Sequence, residues 1–85
     1  MSAPSKEDLL AAVAGRLVAE RTRLGCDIEA AAFEAGVDAE RLAAAEAGEI
    51  ALHEAELLRL ADLYGVDVTA FFGGRTTPLA YLAGM

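Results

Sequence analysis

The sequence is poor in the residues that do chemistry. Its 85 residues include one cysteine, one histidine and no tryptophan, and 7 Lys and Arg stand against 14 Asp and Glu. A single cysteine, Cys26, excludes an internal disulfide and suits a reducing compartment. Cys26 and His53 read as lying in different loops, so they do not supply the three or four converging ligands that a metal needs. No glycine-rich phosphate loop is present either. His53 reads as a helix cap or a surface residue rather than a catalytic base. So short a chain forms one small domain with little room for an enzyme cleft. No catalytic residue, metal or cofactor is therefore expected. No apolar run is long enough to span a bilayer and no signal-peptide pattern is visible, which points to a cytoplasmic protein without membrane contact.

Proline is scarce too, at two, and β-branched residues are few, whereas 55% of the chain is hydrophobic and much of that is alanine. This composition favours an all-helical bundle over a sheet. The shortage of basic residues is the most telling absence. A formal net charge of −7 and a pI near 4.5 oppose non-specific attraction to a phosphate backbone. Acidic proteins can still carry a local basic patch, so the positions of the charges decide.

The chain is organised around the stretch from Asp27 to Gly48, DIEAAAFEAGVDAERLAAAEAG. Asp27 is placed to cap a helix on which Ile28, Ala31, Ala32 and Ala35 form an apolar stripe. Gly36 falls where that helix needs a left-handed C-terminal residue, which glycine adopts without strain. Val37 then points to the core, and Asp38 caps a second helix with Leu42 and Ala45 on its inner side. Helix, Gly-Val, acidic cap, helix is the pattern of a helix-turn-helix.

The flanks read as further helices. Residues 1–5, MSAPS, are expected to be disordered, with Ser5 serving as an N-cap and Glu7 and Asp8 in the first turn. A long helix runs to Arg23, with Leu9, Leu10, Val13 and Leu17 recurring on one side, and Gly25 ends it. After Gly48, Ile50 is the expected core anchor and His53 takes a capping position. Glu54 to Tyr64 form a fourth helix, with Leu57, Leu58, Leu60, Ala61 and Tyr64 repeating at helical spacing. Gly65 closes it, Val66 is expected to be buried, and Asp67 caps a short fifth helix through Phe71 and Phe72. Gly73 and Gly74 form a joint. Beyond it, Thr77 and Pro78 are placed to start one further helical turn through Leu82. This apolar tail either folds back over the core or packs on a second subunit.

Arg21, Ala31-Ala32, Gly36-Val37, Glu46-x-Gly48 and Leu60-Ala61…Tyr64-Gly65-Val66 follow one another in an order and spacing that resemble the lambda-repressor-like (Cro/CI, XRE) helix-turn-helix family. The resemblance covers residues 14–72. It implies a compact five-helix all-α domain over residues 6–72, with a C-terminal extension at 73–85. It also implies a role in regulating transcription, as a dimer, through the outer face of the third helix. Carried over position by position, the residues meeting DNA are Ala39, Glu40, Arg41, Ala43 and Ala44. Arg21 at the end of the first helix and Glu46 of the Glu-x-Gly motif are implied to form a structural salt bridge.

Several positions depart from the family pattern. Ile28 stands where the family has a glutamine that contacts DNA, and Asp38 stands where a serine commonly touches phosphate. Asp38, Glu40, Glu46 and Glu49 oppose Arg41 alone on the face that would meet a duplex, so contact with phosphate is disfavoured. Arg41 either contacts guanine or pairs with Glu40 or Asp38. A basic strip would have to come from Lys6, Arg16, Arg21, Arg23 and Arg41, most of them on the first helix. The alanine face beside Ile28, an exposed Phe33 and the tail residues Leu79, Tyr81 and Leu82 are candidates for a protein-interaction surface. Against this, Ile28 or Phe33 can instead pack inward.

Two functions follow. One is a small transcription regulator whose direct binding of double-stranded DNA is weak or partner-dependent. The other is an interaction module that keeps the fold but binds a protein, namely another regulator, an RNA polymerase subunit or a toxin, or acts as a DNA mimic.

Overall fold

The computed structural model describes residues 5–73 as an all-helical body. Its elements are α1 (Lys6–Leu24), α2 (Ile28–Ala35), α3 (Ala39–Glu46), α4 (Glu54–Tyr64) and a 3-10 helix (Val68–Phe72). Of residues 1–5, expected to be disordered, Ser5 is described and is the N-cap of α1. The rest of that expectation, the helical turn from Thr77, the packing of the tail and the role of Leu79, Tyr81 and Leu82 lie outside the described residues.

Short side chains at the boundaries supply what the helix ends lack. Ser5 Oγ accepts from the Asp8 N–H at 3.1 Å while Asp8 Oδ2 accepts from the Ser5 N–H at 3.2 Å, a reciprocal cap. Asp27 accepts from the Ala30 N–H at 2.7 Å, Asp38 from the Arg41 N–H at 3.0 Å and Asp67 from the Thr69 N–H at 2.9 Å. At α4 the carboxylate of Glu56 reaches back to the His53 N–H at 2.8 Å. Between α2 and α3 the turn depends on Gly36, whose φ of 71° is the left-handed conformation. It lets the Val37 N–H return to the Ala32 carbonyl at 2.9 Å before Asp38 starts the next helix.

Each helix gives one side to a common core. Leu17, Leu42, Leu52, Leu57 and Leu60 are wholly buried, and Val13, Ala31, Ala45 and Phe71 nearly so. A leucine buried in this way contributes roughly 1.5–3 kcal/mol relative to an exposed one. α1 packs on α3 and on the 3-10 helix, while α2 packs between α3 and α4. α3 is thereby held from two sides.

The structure corrects the sequence reading in several places. The fifth element is a 3-10 helix rather than a fifth α-helix, since Asp67 and Gly73 bracket too few residues for more. Leu52 is the wholly buried anchor of the α3–α4 loop, and Ile50 is only half-buried against the core. Leu58 is 49% exposed, because the buried stripe of α4 runs through Leu57, Leu60, Ala61 and Tyr64 and leaves no room for it. Val37, Val66 and Ile28 are half-buried at the edge of the core.

Candidate functional site

The turn between α2 and α3 presents a small face of alanines and acids. On α3, Glu40 and Ala43 are exposed and Ala39 and Ala44 are half-buried, while Leu42 and Ala45 face inward. Asp38 and Glu49 are exposed at the two ends of this helix. The side chains that could meet a ligand there are thus methyl groups and carboxylates.

Arg41 is the cation of that face, and the structure directs it elsewhere. Its Nε donates to Glu56 at 2.9 Å and its Nη2 to the other carboxylate oxygen at 2.8 Å, a two-pronged bond to α4. Only the backbone N–H of Arg41 bonds to Asp38. The choice between Glu40 and Asp38 as side-chain partners is therefore replaced by Glu56. The reason is geometric, since α4 brings the buried carboxylate of Glu56 within reach of Arg41. The same guanidinium, with the backbone bond from His53, holds the Glu56 carboxyl below its ordinary range despite burial. Arg41 also lines a hollow of about 350 Å³ with Lys6, Glu49 and His53, where the start of α1 meets the α3–α4 loop.

A second pair lies deeper. Arg21 Nε and Nη2 both donate to Glu46 at 2.9 Å, and Arg21 Nη1 donates to the Cys26 carbonyl at 3.0 Å. The two side chains retain 19% and 5% of their exposure. The bond raises the pKa of Arg21 further and ties the end of α1 to the end of α3. Glu46 is therefore occupied as a scaffold residue.

The basic residues of α1 are engaged as well. Glu20 is buried on α1 and accepts from Arg23 Nε and Arg16 Nε, each at 2.8 Å. Arg23 is the larger cause holding its carboxyl below the ordinary value. Arg23 Nη2 also donates to the Tyr64 carbonyl at 2.7 Å. Arg16 and Arg23 stay half-exposed, so a strip along α1 exists in outline, with its charge already paired. Among the described residues, Lys6 and Arg59 have no ion-pair partner, and Arg59 adds an exposed cation on α4.

Of the candidate interaction residues, Phe33 and Ile28 fall among the described ones. Phe33 stands 84% exposed on α2. Ile28 lies half-buried in a shallow hollow with Arg21, Asp27 and Glu29. Glu56 and Glu20 were not singled out as functional from sequence. Their signals were present: Glu56 follows a cap position by three residues, and Glu20 sits four after Arg16 and three before Arg23. Among the described residues no group of three or more His, Cys, Asp or Glu is placed to hold a metal ion, and no helix is long and apolar enough to cross a membrane. No family model, curated protein or solved structure matches the chain.

Proposed function

We propose that the chain is a small helix-turn-helix regulator of transcription of the Cro/CI type, whose own hold on DNA is weak or depends on a partner. The observation that carries this reading is the α2–Gly36–Asp38–α3 unit, held from behind by the Arg21–Glu46 bond. It exposes one face of a short helix and fixes its position. The hollow where Lys6 and His53 flank Arg41 gives such a face a place to meet phosphate. Weak binding follows from the rest of the face. The guanidinium of Arg41 must leave Glu56 to reach a base, and the alanines around it offer contact only to thymine methyl groups.

The test is selection from random-sequence duplexes at low and then physiological salt, with the retained pool sequenced. The expected outcome is a short enriched motif with affinity falling steeply as salt rises. Arg41→Ala should abolish the enrichment. The absence of any retained duplex at low salt would overturn this reading.

A second reading is favoured by Phe33, the most exposed large apolar side chain among the described residues. An aromatic left in water on α2, beside a helix bearing alanines and acids, suits a protein partner better than a phosphate backbone. Another regulator, a polymerase subunit or a toxin would serve, as would a role as DNA mimic. Loss of a complex on Phe33→Ser, with duplex binding absent throughout, would favour it.

A further inference from the structure

We infer that the chain's own segment Leu79–Leu82 docks along the outer side of α1. Ala11, Ala12, Gly15 and Ala19 open a groove there of about 430 Å³ against Phe71 and Gly73. Gly15 makes the first part of the argument. It sits in the middle of α1, where glycine costs roughly 1 kcal/mol relative to alanine. Its φ is not positive, and a methyl group added to it would meet nothing within 4 Å. No conformation and no contact among the described residues requires a glycine at this position. A close neighbour over Gly15 would.

The place where the groove opens makes the second. Gly73, the last described residue, is one of its walls, so the following chain leaves the body at the groove's edge. The six residues from Gly73 to Leu79 span at most about 20 Å, and the distance along α1 from Ala19 to Ala11 is about 12 Å. The segment therefore reaches every part of the groove, at the high effective concentration of a short tether. Its composition fits. PLAYL, residues 78–82, carries no charge, and Leu79 and Leu82 are three apart and so fall on one side of a helical turn. Small residues on α1 permit close approach. Docking places the apolar side chains of the tail against the chain's own α1.

The test uses the full chain with methyl-labelled leucine and alanine. Nuclear Overhauser contacts are expected between the methyls of Leu79 and Leu82 and those of Ala12 and Ala19, within one molecule. Gly15→Leu fills the groove with a better helix former and should erase these contacts while the methyl signals of Leu17, Leu42 and Leu57 keep their positions. If that variant disturbs the core signals, Leu79→Ser with Leu82→Ser in the native groove should shift the Ala12 and Ala19 signals instead. Absence of tail contacts in the native chain would overturn the inference, as would contacts that survive Gly15→Leu. Contacts seen only between labelled and unlabelled molecules would also overturn it, assigning the groove to a second copy's tail.

Discussion

The two arginine–glutamate pairs that grip α3 have nearly the same geometry and different surroundings. Arg21–Glu46 joins α3 to α1 with side chains 19% and 5% exposed, while Arg41–Glu56 joins α3 to α4 with side chains 39% and 12% exposed. The inner arginine has an additional acceptor in the Cys26 carbonyl. Water screens the outer pair more and can take over Arg41 if Glu56 lets go, whereas Arg21 has no comparable escape. One pair is thus a fixed joint. The other holds a side chain at the candidate surface that an outside anion could claim.

The largest expected effect tests the fixed joint. Glu46→Ala leaves a largely buried guanidinium without its carboxylate and should lower stability by roughly 2–4 kcal/mol. Denaturant midpoints measure it. Glu56→Ala should cost less, about 1–2 kcal/mol, because Arg41 regains water even though α4 loses its cap. Equal losses for the two variants would erase the distinction between the pairs.

The outer pair should also respond to acid. Arg41 depresses the Glu56 pKa in the folded state, so this carboxylate's contribution is complete above its ordinary value of 4.5 and is lost as pH falls through the lowered one. Glu56→Gln should flatten the acid limb of the stability profile below about pH 4.5. An unchanged limb would mean that the Arg41 bond adds nothing to the fold.

Smaller still is the effect of Tyr64→Phe. The Tyr64 ring is buried, its hydroxyl has no hydrogen-bond partner among the described residues, and burial pushes its pKa up to about 12. A raised value favours the folded state below the ordinary pKa of 10.0, and this contribution disappears as pH rises from there to about 12. The phenylalanine variant should be equal to or up to about 1 kcal/mol more stable than the native protein at neutral pH, and should lose less stability above pH 10. Thermal melts across pH 7 to 12 would show both. Phe33→Ser should change stability least, by no more than about 0.5 kcal/mol, since the ring is already in water. A larger loss would place Phe33 in a contact that keeps the domain folded.

What was readable in advance divides along the same line. Helix positions and ends were legible because a cap and its N–H lie two or three residues apart, as with Asp27 and Ala30 or Asp38 and Arg41. Arg21 and Glu46 lie 25 residues apart, and only the resemblance to a helix-turn-helix family suggested the pairing. Nothing suggested Arg41 with Glu56, 15 residues apart, since that bond exists only when the first turn of α4 is brought beside Arg41. The exchange of Ile50 for Leu52 as anchor arose in a loop, where no period tells inside from outside.

By itself the sequence determined the helices, their caps, the glycine turn and the apolar sides that bury one another. These depend on interactions within a turn or two of the chain. Only the tertiary structure decided which carboxylate each arginine meets, and with it how little positive charge α3 offers. A charge pair is a matter of ångströms between helices, and that distance is set by packing.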